Sequence, residues 1–410
     1  MDIKLKKSLL ICLLYLGQHF SGQAVGTPYV PYTPDFTINR CTAPGSTIGW
    51  LARNIPANGA DIAAKQQIEV IVTSPGPYNF TTPVVNGVTF STSGTFAAPG
   101  TYTLDLIATG NPTNYTVNNN TYSYTVRSTT ATNAGTCNFG RKVYVADQGY
   151  YNDNAGAGNH RFIYKVITGP SGREWLQTNL GSLYNKVGNV DFDPEMYAQG
   201  PNDFRAFGSL FQLGRASDGH ELTNWTSSTT ATFEMGTTTN NTINPTATNS
   251  GLFITSSVGD QDSNTGDLTK QLDEVLREYV VGPNQPCPAD FTVAKVSADD
   301  SSGSTNFFEE EGIPYNGTAT PALNSPLKLI APNMYRNSAN GQLTSLPYRL
   351  IRSNMVALYP TWVANAPEFV IGGGNLIETA NNARQDRRFF LNNNDNRGPR
   401  DAYPVRCSKY

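Results

Sequence analysis

Asn86-Gly-Val-Thr-Phe-Ser-Thr-Ser-Gly-Thr-Phe96, followed by Pro99-Gly-Thr-Tyr-Thr-Leu-Asp-Leu-Ile107, decides the fold class of this 410-residue chain. Asn-Gly is the strongest short-range signal for a two-residue hairpin turn, because both residues tolerate positive φ. Pro99-Gly100 is a second turn, and Thr101 to Ile107 alternates with period two, which places one face of a strand inward. Ile68-Glu-Val-Ile-Val72, Tyr78-Asn-Phe80 with Val84-Val85, Gly94-Thr-Phe96 and Thr121 to Val126 add further strands. Short strands at intervals of about 8–12 residues, separated by Gly, Pro and Asn turns, predict a β-sandwich over residues 41–137.

Working outward, the N-terminus sets the compartment. Lys4, Lys6 and Lys7 precede an apolar run from Ser8 to Leu16, and Gly22-Gln23-Ala24 is a small-x-small cleavage site. This pattern predicts a signal peptide over 1–24, with Cys12 discarded inside it; the run is too short for a membrane span. Beyond it no stretch approaches the ~18 apolar residues of a spanning helix, so no membrane span is expected in the mature chain. The formal charge is −3; a leader charge of +2 leaves the mature chain near −5. That balance excludes a broad basic face for nucleic acid.

Four cysteines follow the leader: Cys41, Cys137, Cys287 and Cys407. In an exported protein an even count suggests two disulfides, with three connectivities open. Cys41–Cys137 and Cys287–Cys407 is the expected pairing, since each pair brackets material that reads as one domain. Free buried thiols are the alternative.

Residues 25–40 are rich in Pro and Tyr and are expected to be an extended linker; 138–160, rich in Gly, Asn and Tyr, are expected to be a second one. The remainder, 161–410, reads as one loop-rich domain. Phe162 to Ile167 and Glu174-Trp-Leu176 are expected strands around a Thr168–Gly172 turn. Asp267 to Val280 places apolar residues at 268, 272, 275, 276 and 279, a helical stripe that Gly282-Pro283 stops. The fold class is therefore mainly β with some helix, all-β plus α+β.

The segment from Asn86 to Leu104 resembles the Ig-like modules of Bacteroidetes surface proteins, which implies a spacer or stalk. In the second domain, five phrases occur in order over about 240 residues: Gly172-Arg-Glu-Trp-Leu-Gln-Thr-Asn-Leu180; Phe207-Gly-Ser-Leu-Phe-Gln212 with Gly214-Arg-Ala-Ser-Asp-Gly-His220; Cys287-Pro-Ala-Asp-Phe291; Ser325-Pro-Leu-Lys-Leu329; and Val405-Arg-Cys407. Their succession resembles the Fibrobacter succinogenes major paralogous (FISUMP) domain family. The resemblance implies a C-type-lectin-like, loop-rich fold with a terminal disulfide, and a non-catalytic role. Two departures stand out. Thr292-Val-Ala-Lys-Val-Ser297 replaces a turn into a helix, and Tyr359-Pro-Thr-Trp-Val363 with Glu368-Phe-Val-Ile-Gly-Gly373 replaces a Trp-Ser-Ser phrase. Trp175, Phe207, Leu210, Phe211 and Leu213 are expected to supply core, and Arg215 and Asp218 to pair or cap locally.

Candidate chemistry is sparse. After the leader only His160 and His220 remain, with no HExxH motif and no histidine pair at ligand spacing, so no enzyme is expected. His220 reads as a structural residue. Glu309-Glu-Glu311 reads as a solvated acidic loop, and Gly372-Gly-Gly374 as a strand end. No cofactor is expected apart from a candidate calcium site. Asn392, Asn394 and Asp395 offer oxygen ligands for it, and Asp191-Phe-Asp193-Pro-Glu195 is a second such run. Tyr359 and Trp362, with the same Asn392, Asn394 and Asp395, are the candidate ligand-binding residues; an aromatic platform with polar neighbours suits a sugar. The expected protein is secreted or at the cell surface, binding a glycan or a surface protein. Self-association as a structural subunit of a surface layer or appendage is the alternative, and a hydrolase is the third possibility.

Overall fold

The structure is a computed structural model of the chain. It describes residues 33–41, 47–150, 160–212, 215–239, 251–255, 285–293, 311, 323–330, 332, 334–337, 339–345 and 402–409, and the backbone of 358–363 and 366–371. The leader, the expected helix at 267–280, Leu213, Gly372–Gly374 and the Asn392–Asn396 run lie outside the described residues.

The protein is mainly β. The first unit contains β1 (Asp35–Arg40), β2 (Thr47–Ile48), β3 (Leu51–Ala52), β4 (Lys65–Ser74), β5 (Gly76–Thr81), β6 (Val88–Phe96), β7 (Gly100–Gly110), β8 (Tyr122–Ser128) and β9 (Thr136–Arg141). Asn86 and Gly87 both have positive φ, at 49° and 77°. Val85 and Val88 exchange backbone hydrogen bonds across them, the two-residue turn that the Asn-Gly pair predicts. Alternation is clear on β4, where Gln66, Ile68, Val70 and Val72 point inward.

The strands are hydrogen-bonded in one path, β1-β4-β7-β6-β5-β8-β9, with β2 beside β4. In a flat sheet β1 and β5 would stand about 19 Å apart, at about 4.8 Å per strand step. Yet the Phe36 ring of β1 meets Phe80 of β5 at 5.2 Å and Phe96 of β6 at 5.4 Å, edge to face. The sheet therefore curls over its own core, and its two end strands come together. Ile38 N–H donates to Ala134 O at 2.8 Å, and the Cys41–Cys137 disulfide joins the end of β1 to β9. Inside the fold Tyr124 and Phe139 stack, and Phe90 meets both rings edge to face.

The expected linker boundaries move. β1 lies within 25–40, because Phe36 and Ile38 alternate inward and complete the core. Residues 138–160, expected to link two domains, carry the end of β9 and the whole of β10 (Val143–Ala146). β10 pairs in parallel with β3 of the first unit and antiparallel with β11 (Ile163–Tyr164) of the second. Val143, Tyr144 and Val145 are buried by this double pairing. Around it, Ala52, Ile55 and Ile62 pack with Tyr144, Tyr150 and Ile163. The two units are thus joined by a shared sheet and a shared core.

The second unit holds β12 (Val166–Thr168), β13 (Glu174–Leu176), β14 (Phe211–Gln212), β15 (Thr223–Trp225), β16 (Ala231–Phe233), β17 (Thr237–Thr238), β18 (Phe253–Ile254), β19 (Thr292–Val293), β20 (Met334–Arg336), β21 (Leu343–Ser345), β22 (Leu358–Val363), β23 (Ala366–Ile371), β24 (Ala402–Tyr403) and β25 (Cys407–Lys409). Helix is confined to single 3-10 turns at Leu183–Asn185 and Phe204–Ala206 and a helical pair at 323–324 among the described residues. Two four-stranded sheets, β12-β13-β25-β19 and β14-β24-β20-β21, organise it.

The five sequence phrases converge here. β25, from the last phrase, pairs with β13 of the first and with β19, which follows Cys287-Pro-Ala-Asp-Phe291. Cys287 and Cys407 are disulfide-bonded, so both expected cysteine pairs are joined. The buried Arg406 donates to Gln177 O and Leu327 O, and Asn179 Nδ2 donates to Phe207 O and Ile330 O. A loop-rich unit leaves many carbonyls without ladder partners, and these side chains supply them. Trp175, Phe207, Leu210 and Phe211 are buried, as expected.

Candidate functional site

The densest chemistry in the described residues lies where the Phe207–Leu222 block folds back on itself. Asp218-Gly-His-Glu221 forms a tight turn. Gly219 adopts φ +104°, and Asp218 Oδ1 accepts His220 N–H at 3.2 Å, the local bond that an aspartate offers a turn. The same oxygen lies 2.5 Å from His220 Nδ1. On the other side of the ring, Gln212 N–H donates to Nε2 at 3.0 Å. A nitrogen that accepts carries no proton, so His220 is the neutral Nδ1–H tautomer, donating to Asp218. Burial lowers its pKa, and the Arg215 guanidinium lowers it further.

Arg215 donates to Asp218 Oδ2, to Gln212 Oε1 at 2.8 Å and to Leu252 O at 2.8 Å. Burial works against the Asp218 charge, but His220 and Arg215 hold its pKa well below the usual carboxylate range. Glu221 Oε2 accepts Gly219 N–H at 3.0 Å, and Glu221 Oε1 lies 2.8 Å from His160 Nε2. Burial opposes a charged His160, but Glu221, then Asp147 and Asp218, raise its pKa to about 9. Asp147 accepts from Tyr164 Oη at 3.2 Å; burial pushes its carboxyl up to about 6. Arg336 closes the cluster from behind. Its Nη1 donates to His220 O at 3.1 Å, and its guanidinium sits 3.7 Å and 4.0 Å from the ring centres of Phe233 and Phe253.

Asp218, His220 and Glu221 place ligand-type atoms within 4.8 Å of one another, the one such metal-capable group among the described residues. Their donor set is already in use. The His220 nitrogen facing the carboxylates carries the proton, and each carboxylate is bonded on both oxygens. The arrangement is a closed polar network that fixes the Phe207–Leu222 turn, with Asp218 balanced by Arg215 and Glu221 by His160.

A second cluster spans the joint. Glu195 Oε2 accepts from Lys142 Nζ at 2.7 Å and Lys165 Nζ at 2.8 Å, and Oε1 accepts from Tyr144 Oη at 2.5 Å. Burial raises the Glu195 pKa, but the two lysines and Tyr144 hold it below the usual value. This accounts for part of the second candidate calcium run: Glu195 is taken by lysines, and Asp193 Oδ1 accepts Glu195 N–H at 3.0 Å.

The other sequence candidates divide. Tyr359 and Trp362 lie on β22, opposite Val370 and Pro367 of β23 in one hairpin. Asn392, Asn394 and Asp395 lie outside the described residues. Glu311, expected in a solvated loop, is fully buried instead. Its Oε1 accepts from Ser171 Oγ, from Trp175 Nε1 at 3.2 Å and from Arg173 Nη1 at 3.3 Å, which anchors the Thr168–Gly172 turn.

Sequence reasoning singled out Arg215, Asp218 and His220 as structural but missed Glu221 and His160 as their partners. The Asp-Gly-His spacing carried a local signal. The His160–Glu221 contact, 61 residues long in sequence, carried none. No family model matches the chain, and no curated protein or solved structure is significantly similar to it.

Proposed function

We propose that this is an exported, non-catalytic binding protein of the cell surface, whose second unit engages an extracellular partner through its long loops. The observation that carries this reading is the closure of the Asp218–His220–Glu221–His160 network. The side chains of that network face one another in the interior, where they hold a loop-rich unit in one conformation. Two disulfides, and no described helix long and apolar enough to cross a membrane, favour an extracytoplasmic setting. The five converging phrases favour kinship with FISUMP domains and a lectin-like frame. The partner class that fits is a glycan, met by Tyr359 and Trp362 on the β22–β23 hairpin, with Asn392, Asn394 and Asp395 as the sequence candidates for polar or calcium ligands.

A glycan-array screen of the full chain, with calcium and with chelator, tests this reading. Binding in either condition supports it, and loss on chelation adds the calcium site. The whole chain is needed because the two units share a sheet. No binding in either condition sinks the glycan reading.

One observation favours a second role, that of a structural subunit. The β3-β10-β11 sheet makes the two units a single strut rather than beads on a flexible linker. Concentration-dependent assembly without added ligand, followed by light scattering, is the result expected of that role.

A further inference from the structure

Asn119, Lys142, Lys165 and Glu195 meet at the joint between the units, apart from the histidine network. Lys165 Nζ lies 2.8 Å from Glu195 Oε2 and 3.0 Å from Asn119 Oδ1. Lys142 Nζ lies 2.7 Å from the same carboxylate oxygen and 3.1 Å from the same amide oxygen. Each of two amines is thus within hydrogen-bond reach of one carboxylate and one primary carboxamide. These are the reactants and the proton carrier for aminolysis of an amide.

Each group is held in place. Val117 bridges Val166 in parallel, next in sequence to Lys165. Asn118, at φ 58°, donates N–H to Val166 O at 2.7 Å, and its Oδ1 accepts Thr168 N–H at 2.9 Å. Asn120 N–H closes the turn on Val117 O at 3.1 Å. Asn119, itself exposed, therefore sits in a turn held against β12, the strand that begins directly after Lys165. The Lys165 side chain is 12% exposed, and the Lys142 side chain 26%. Tyr144 Oη pins the other oxygen of Glu195.

We propose that Asn119 and Lys165 form an intramolecular isopeptide bond, with Glu195 as the proton carrier. Two ammonium groups share one carboxylate, so loss of a proton from the partly exposed Lys165 to water leaves a balanced Lys142–Glu195 pair and a free amine on the carboxamide. The Lys165 nitrogen attacks Asn119 Cγ and a C–N bond forms. Lys142, donating to Oδ1, stabilises the negative charge that develops there. Glu195 takes one of the two protons left on the attacking nitrogen and gives it to the Asn119 amide nitrogen; the original C–N bond breaks, ammonia leaves, and the other proton stays on the new amide. Nothing is oxidised or reduced. Fixing both reactants in one fold replaces the entropic cost of a bimolecular encounter, which is why so unreactive an amide can be attacked. The product would tie the first unit covalently to the second beside their shared sheet.

The test is mass measurement on the full chain, folded, then reduced and denatured. The expected mass is that of the leader-free sequence less one ammonia. A branched tryptic peptide should join the Asn119 and Lys165 segments, with cleavage after Lys165 blocked. Asn119→Ala and Lys165→Arg should each restore the unlinked mass. Circular dichroism like that of the wild type would show that the loss of the link is not misfolding. Full mass with normal cleavage after Lys165 in the wild-type protein overturns the proposal, as does a branch at Lys142. A folded Glu195→Gln variant that still links overturns the role given to Glu195.

Discussion

His160 Nε2 and Glu221 Oε1 meet at 2.8 Å in the interior, both side chains almost fully buried. Burial alone would discharge the imidazole, but the carboxylates around it win and raise its pKa to about 9. The unfolded histidine titrates near the ordinary imidazole value of 6.5. A group whose pKa is raised on folding stabilises the fold fully below the unfolded value and loses that contribution as pH climbs through the folded one. Unfolding free energy from urea titrations should therefore fall between about pH 6.5 and 9, by on the order of a few kcal/mol. Glu221→Gln should flatten that decline. A wild-type profile that is level across this window would remove the charged pair.

Asp147 adds a second pH-dependent contribution of the same sign at lower pH. Burial raises its carboxyl from 3.8 to about 6. Ionising it in the folded state is unfavourable, so its effect is a loss of stability as pH rises from about 4 to 6. Asp147→Asn keeps an acceptor for Tyr164 and should remove this part of the profile; it should also narrow, without abolishing, the His160 part, because Glu221 is the larger cause of that shift. NMR titration of an Asp147 signal with an ordinary carboxylate midpoint would contradict the assignment.

Arg336 lies between Phe233 and Phe253 and donates to three carbonyls, those of Gly341, His220 and Met235. Lysine retains the charge but has neither the flat face nor the fork. Arg336→Lys should cost about 2–4 kcal/mol, combining a desolvated cation–π loss with carbonyls left unpaired. Equilibrium denaturation reads it directly, and a cost below about 0.5 kcal/mol, the level of an ordinary surface substitution, would show that the stack contributes little.

Much of the first unit was legible because its signals are local. Asn86-Gly87 fixed a hairpin turn, and the alternation of Ile68 to Val72 fixed which side of β4 faces inward. Trp175, Phe207, Leu210 and Phe211 declared a core by size and apolarity. What stayed hidden depends on long-range pairing. Nothing in the polar, Gly-rich run after Cys137 signals that β10 will lie between β3 and β11, since a four-residue strand draws its stability from neighbours far away in sequence. Glu311 looked solvated because an acidic run normally is; its burial follows from Trp175 and Ser171, more than a hundred residues away. His160 carried no assigned role and Glu195 was read only as part of a candidate calcium run, because each meets its partners only when segments distant in sequence come together.

The Cys287–Cys407 bond closes a span of 120 residues and holds β25 in the sheet that β13 and β19 complete. Replacing both cysteines with alanine should cost about 2–5 kcal/mol, mostly by enlarging the unfolded ensemble. The Cys41–Cys137 pair joins the two end strands of the curled sheet, so its removal should loosen β1 first. Hydrogen exchange at Phe36 and Ile38 should then accelerate relative to β4. Equal protection with and without that bond would mean that the aromatic contacts of Phe36 hold the strand unaided.

The joint between the units gives the last expectation. Besides the shared sheet, Tyr115 Oη donates to Glu174 Oε2 at 2.6 Å and accepts from Lys409 Nζ at 2.8 Å, while Arg53 pairs with Asp290 and stacks over Tyr115 at 5.0 Å. Ion pairs as exposed as Lys409–Glu174 contribute only about 0–1 kcal/mol each, so coupling between the units must come mainly from the buried strands and side chains at β3, β10 and β11. Calorimetry of the intact chain should therefore show one cooperative transition. Leu51→Asp puts a charge into the fully buried end of β3 and should split that transition in two, whereas Lys409→Ala should leave it single. Two transitions in the wild-type protein would show instead that the units unfold independently despite their common sheet.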